Sequence, residues 1–179
     1  MTDRSAAGTT FDDFVAARST ALWRSAFLLT GDRHKAEDLL QVALVKTWRR
    51  WDRLTGGVEP AEAYVRRALV TTYTDWWRRR WRGEVPTGEL PERPTTGRDG
   101  PGAVDVRRDV LTALAGLSRG QRAVLVLRYF DDLTEQQTAD VLGVSRGTVK
   151  SQASRALAAL RSSPALTDHD HPATEEEPS

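Results

Sequence analysis

The chain has 179 residues, a formal net charge of +1 and no cysteine, which excludes a disulfide framework, a thiolate metal site and a thiol nucleophile. The small net charge hides four unlike segments: residues 1–82 carry +5, 83–106 carry −3, 107–163 carry +4 and 164–179 carry −5. The N-terminus lacks an apolar signal core, and no charge-free apolar run approaches the ~20 residues that cross a bilayer, so a cytoplasmic chain without membrane insertion is expected.

Residues 1–10 are small and polar and are expected to be disordered. Phe11, Phe14, Val15, Leu22, Trp23, Ala26 and Phe27 then recur at helical spacing until Thr30-Gly31-Asp32 ends one helix and starts another. The second helix has an apolar stripe of Ala36, Leu39, Leu40, Ala43, Leu44, Thr47 and Trp48, with Glu37, Asp38, Gln41 and Lys46 on the rest of its circumference. A loop over Asp52–Glu59 carries Gly56-Gly57. Pro60 fits the first turn of a third helix running to about Arg82. From Gly83 to Asp105 the chain holds four of its eight prolines and no sustained apolar period, as a linker does. Helical periodicity resumes at Val106, breaks at Ser118-Arg119-Gly120 and continues through Phe130. The Pro- and acid-rich segment after Arg161 is expected to be a disordered tail. No strand signal intervenes, so the expected class is all-α: two small helical domains joined by a flexible linker.

Two segments carry chemistry. Thr134-Glu135-Gln136-Gln137 forms a capping box opening a short helix, Gly143 supplies a positive φ for a sharp turn, and Ser145 can cap the next helix. With Ala139, Val141 or Leu142, Val144 and Val149 inward, this is helix-turn-helix spacing. Arg146, Thr148, Lys150, Ser151, Ser154 and Arg155 are left on the outer face of the second helix, where hydroxyl and basic groups can reach base edges or phosphates. A helical hairpin with a solvated basic face would share the pattern.

In the first block, which holds all six tryptophans, Tyr73-Thr74-Asp75-Trp76-Trp77-Arg78-Arg79-Arg80-Trp81-Arg82 sets indole and guanidinium stripes side by side. Aromatics stack on unpaired bases while arginines neutralise phosphates, which suits melted nucleic acid. Such a helix could also lie on an anionic membrane, and any single Trp could be core. Of the three histidines, His169 and His171 sit in the acidic tail, Asp168-His169-Asp170-His171, and a solvated tail explains them better than a metal site. No catalytic residue, metal site or cofactor is expected.

In this order and at these separations, Ala36-Glu37-Asp38-Leu39-Leu40-Gln41, Trp76-Trp77-Arg78-Arg79-Arg80 and Leu142-Gly143-Val144-Ser145-Arg146-Gly147-Thr148-Val149-Lys150-Ser151 resemble the bacterial sigma-70 superfamily, in its extracytoplasmic-function (ECF) group and actinobacterial sigma-E-like branch. Residues 11–82 look like sigma region 2 and 107–161 like region 4, with 83–106 as linker and 162–179 as tail. The resemblance implies a non-enzymatic initiation factor whose partners are core RNA polymerase, through its β′ and β subunits, and promoter DNA. Glu37, Asp38 and Gln41 would then dock on β′. The 52–60 loop and the helix bearing Thr71, Asp75, Trp76, Trp77, Arg78, Arg79 and Arg80 would recognise and melt the minus 10 element. Arg146, Thr148, Lys150, Ser151, Ser154 and Arg155 would read the minus 35 element. An anti-sigma factor is implied as a further partner, which none of these residues identifies.

Three positions depart from the family pattern. Thr71 stands where Asn is frequent near the minus 10 strand, Val42 makes the docking face more apolar, and Gln152 replaces an Arg and with it a phosphate contact. The alternative function is an autonomous helix-turn-helix regulator that uses the first domain to dimerise or sense a ligand.

Overall fold

A computed structural model describes residues 5–6, 9–54, 58–83 and 101–167, with positions 5–6, 59, 77–83, 101–107 and 167 described for backbone only. Thr10 opens helix α1 (Phe11–Thr30) with a capping box: its hydroxyl accepts from the Asp13 amide at 3.1 Å while its own amide donates to the Asp13 carboxylate at 3.2 Å. That bond and the one from the Thr10 hydroxyl hold the Asp13 carboxyl below its usual range. Just upstream, Ser5–Ala6 pairs antiparallel with Thr9–Thr10, a short ladder where periodicity predicts only disorder. The anchored Thr10 cap gives that segment something to pair against.

Gly31, at φ +70, ends α1 by donating to the Phe27 carbonyl at 2.7 Å. Asp32 then caps α2 (Arg33–Trp48) by accepting from the Lys35 amide at 2.7 Å. A single 3₁₀ turn, Trp51–Arg53, leads towards α3 (Val58–Gly83), which has Pro60 in its first turn. The three helices share a core of Phe14, Leu22, Ala26 and Leu29 from α1, Ala36, Leu39 and Ala43 from α2, and Val65, Leu69 and Tyr73 from α3. Trp51 is 1% exposed, with its ring 5.3 Å from both Phe11 and Phe14. Burying a side chain of this size contributes about 1.5–3 kcal/mol, so this indole seals one end of the bundle.

Helix α4 (Pro101–Ala115) starts five residues before the apolar period resumes at Val106, because a proline is compatible with a first helical turn. Ser118 and Gln121 make a second reciprocal capping box at the head of α5 (Arg119–Leu125). The chain continues in a π-helical turn, Val126–Phe130, rather than in the even α-helix that the periodicity predicts. Asp132 then reverses the chain at φ +53, a conformation that Asp tolerates better than most residues. Helices α6 (Glu135–Leu142) and α7 (Arg146–Arg161) form the helix-turn-helix. A last turn, α8 (Pro164–Thr167), extends order past Arg161 into the segment expected to be tail. Pro164 starts that turn, and Ala165 and Leu166 are half-buried, which gives the turn an apolar contact.

The fold is thus helical in two units, as the patterning predicts, but the units are in contact. Ala123, Val126, Leu127 and Val141 of the second share one buried cluster with the core of the first.

Candidate nucleic-acid interface

The helix-turn-helix is built by local capping. The Thr134 hydroxyl accepts from the Gln137 amide at 3.2 Å, and Gln137 Oε1 accepts from the Thr134 amide at 2.8 Å. Gly143 takes φ +66, with nothing within 4 Å of the space a Cβ would occupy, so backbone conformation alone calls for glycine there. Ser145 caps α7 by accepting from the Thr148 amide at 3.1 Å. Val149 is fully buried beside Val124 and Ala139, and fixes the crossing of the two helices.

This packing leaves Arg146, Thr148, Lys150, Ser151, Ser154 and Arg155 all exposed on α7. Arg146 lies 3.6 Å from Glu135 of α6, and an exposed pair of this kind contributes only about 0–1 kcal/mol, so the guanidinium is readily available to another acceptor. The Thr148 hydroxyl is shared with Ser145 at 2.9 Å and Ser151 donates to the Thr148 carbonyl at 3.0 Å, so these two serve the helix start as well as its surface. Val144, expected inward, is 40% exposed, because it sits in the turn, where helical periodicity no longer sets direction. Gln152 is half-buried, and its side-chain carbon would lie 3.9 Å from a Cβ placed on Gly120, so it faces α5 and not the outer surface.

A shallow cleft of about 260 Å³ adds residues that the sequence alone did not single out. Its lining joins Lys150 and Ser154 to Arg128 and Arg161. Arg161 continues the helical stripe 150, 154, 157, 161, a signal present in the sequence. Arg128 comes from the π-helical turn, where its guanidinium donates to the Leu133 carbonyl, and no local pattern places it beside α7.

In the first domain, Asp38 and Gln41 are exposed on α2, and Glu37 is half-buried and paired with Arg33 at 3.1 Å. The same surface carries Val42, Val45 and Trp48 at 36%, 49% and 46% exposure. Trp48 was expected in the buried stripe, but Trp51 occupies the adjacent core at this end of the bundle. Lys46 is drawn inward to donate to the Thr72 hydroxyl at 2.7 Å.

On α3, Thr71 is exposed and its hydroxyl donates to the Arg67 carbonyl at 2.8 Å, while Asp75 and Trp76 are half-buried. Trp76 packs against the main core. The helix runs on through Trp77, Arg78, Arg79 and Arg80, whose side chains lie outside the described residues, as do Gly56-Gly57, His169 and His171. Among the described residues, no cluster of three or more His, Asp or Glu could hold a metal ion, and no helix is long and apolar enough to cross a membrane.

Comparison with known proteins identifies the family of both units. The profile for sigma-70 region 2 matches residues 14–83 and that for sigma-70 region 4 matches 107–160. The chain is 42% identical to an RNA polymerase sigma-E factor of Streptomyces coelicolor over 170 residues, 93% of each chain. It is 33% identical to the ECF RNA polymerase sigma factor SigL of Mycobacterium tuberculosis over 146 residues, 80% of this chain and 82% of that one. Among solved structures it resembles the sigma factor RpoE in complex with the anti-sigma factor NepR from Bartonella quintana, with a TM-score of 0.67 and 25% identity over 90% of this chain and 98% of that one. It also shares the fold of CnrH, solved in complex with the cytosolic domain of CnrY, with a TM-score of 0.62, 24% identity and 90% and 89% coverage. With both regions in order along nearly its whole length, the chain belongs to the ECF group of the RNA polymerase sigma-70 family.

Proposed function

We propose that this chain docks on core RNA polymerase through α2, reads the minus 35 element with α7, and recognises and melts the minus 10 element with the 52–60 loop and α3. The observation that carries this reading is the presence, in one chain, of two exposed helical faces of opposite chemistry. On α2, Asp38, Gln41, Val42, Val45 and Trp48 mix apolar and acidic groups, as a protein partner requires. On α7, Arg146, Lys150 and Arg155 stand among hydroxyls, as a phosphate backbone and base edges require.

Flipping a base from the duplex costs a few kcal/mol, which stacking on aromatics at about 1–3 kcal/mol per base can offset. We assign the flipped base to the 52–60 loop, with Thr71, Asp75, Trp76 and Trp77 on the minus 10 strand and Arg78, Arg79 and Arg80 on the phosphates. The polymerase supplies the chemistry. Because the sigma factor RpoE above is solved in complex with the anti-sigma factor NepR, we include an anti-sigma protein among the partners.

The test is transcription by core polymerase with and without the purified chain, with the transcript ends sequenced. New start sites sharing minus 10 and minus 35 sequences are expected. Failure to associate with core, together with a shift of a palindromic operator in the absence of polymerase, would replace this function with that of an autonomous regulator.

A further inference from the structure

The cleft beside α7 holds more positive charge than the reading of the minus 35 element uses. Its lining carries three cations, Arg128, Lys150 and Arg161, against one carboxylate, Glu135, which already faces Arg146 at 3.6 Å. Among the described residues, neither Lys150 nor Arg161 pairs with a carboxylate. Tyr129, exposed in the same lining, adds a hydroxyl donor beside the Arg128 guanidinium, which lies 5.9 Å from its ring centre. A recognition helix meets base edges with its N-terminal residues. Arg161 stands at the other end of α7, about 16 Å beyond Lys150 along the helix axis, so this cation is left for a different anion.

The chain itself supplies one. The twelve residues after Thr167 include Asp168, Asp170 and Glu175-Glu176-Glu177, with no Lys or Arg among them. They follow α8, which packs on α4 and α7, so the acidic segment starts beside the helix whose cations line the cleft. The eight residues from Thr167 to Glu175 reach up to about 27 Å when extended, enough to run back along the α7 stripe as far as Lys150. So short a tether gives the segment an effective concentration on the order of mM at the cleft, where exposed ion pairs that are weak singly act together.

We propose that residues 168–179 dock as an acidic peptide in the α7 cleft: the Glu175-Glu176-Glu177 carboxylates meet Arg161 and Arg128, and the segment covers Lys150 and Ser154 until minus 35 DNA displaces it. The competition rests on the DNA-reading role proposed for α7; the docking does not.

The full chain has no cysteine, so Ser179→Cys accepts a single nitroxide label. Amide signals of Arg128, Lys150 and Arg161 should broaden. Glu175→Gln, Glu176→Gln and Glu177→Gln together keep the tether, remove the charge and should restore most of that signal. Fluorescence anisotropy of a short random-sequence duplex at low salt reads the competition. The triple variant should bind it about tenfold tighter, the size expected from the loss of three exposed ion pairs. Arg161→Gln should bind about threefold tighter, by release of one such pair, although it removes a positive charge. Attraction to phosphate alone predicts the opposite sign for that variant. Circular dichroism checks that both variants keep their helix content.

Equal broadening in the parent and the triple variant would show a segment held only by its tether and overturn the proposal. Weaker duplex binding by Arg161→Gln, or equal duplex binding by the triple variant and the parent, would overturn it as well. So would broadening of an isotope-labelled chain by the nitroxide of a different chain, which assigns the segment to a second copy. Charge-dependent broadening although no form of the chain binds the duplex would instead sink the DNA-reading role of α7 and leave the docking standing.

Discussion

Helices α2 and α7 are both 16 residues long, are both capped by a side-chain oxygen at the N-terminus and both bury one face, yet they leave opposite surfaces to solvent. On α2 the exposed face is Asp38, Gln41, Val42, Val45 and Trp48; on α7 it is Arg146, Thr148, Lys150, Ser151, Ser154 and Arg155. Apolar groups left in water forgo about 25 cal/mol for each Å² a partner could cover, whereas guanidinium and ammonium groups gain most by displacing counterions from phosphate. The buried faces explain the fold, and the difference between the outer faces explains why one helix suits a protein and the other a nucleic acid.

The sharpest way to break the comparison is to remove the apolar part of the α2 face. The combined Val45→Asp and Trp48→Ala substitutions are expected to weaken core polymerase binding by roughly 30-fold, about 2 kcal/mol, with helix content unchanged. Equal binding by the double variant and its parent would return that face to the solvent. A second variant acts on α7 alone. Gly143→Ala forces a side chain into φ +66 and should cost about 1–2 kcal/mol, lowering the melting temperature and weakening minus 35 binding while sparing core association.

Smaller still is the effect of Lys150→Ala. Loss of one phosphate contact should weaken binding evenly across sequences and reduce the salt slope of log K by about one unit, which titration at several ionic strengths would read.

The last prediction concerns the boundary between the two domains. Burial raises the Asp131 carboxyl above its ordinary value, against the lowering effects of Ser25 and Arg66, while Glu62 and Asp132 add to the rise. Asp131 therefore holds a proton in the folded chain at pH values where it has lost it in the unfolded chain. Its contribution to stability is fully present below the ordinary carboxylate range and declines as pH rises through the raised value. The melting temperature should accordingly fall as pH rises over that interval, and Asp131→Asn should flatten that part of the profile.

Much of this was legible in local sequence. The capping box of Thr134 and Gln137, the left-handed Gly143 and the Ser145 cap all act over three or four residues, and each hydrogen bond joins groups that the spacing already names. The outward face of α7 follows from the same short period. The apolar spacing points Trp48 and Val144 inward and the structure exposes both, because a helical stripe sets direction only while the helix and the core beneath it continue, and both residues stand at an end. Arg128 reaches the α7 cleft through a π-helical turn, which shifts the register that an even helix would keep.

The sequence by itself determined the two helical units, the turns at Gly31 and Gly143, the caps at Thr134 and Ser145, and the charged surface of the helix-turn-helix, because these depend on contacts within a turn or two of chain. Only the tertiary structure decided that the units meet. Ser25 and Asp131 are 106 residues apart, and Arg122 and Leu29 are 93 apart, with a Pro-rich, acidic segment between them. No periodicity links such positions. Their pairing arises from shape and from the unmet hydrogen-bonding capacity at the end of α1, which exists only once the helices have formed and packed.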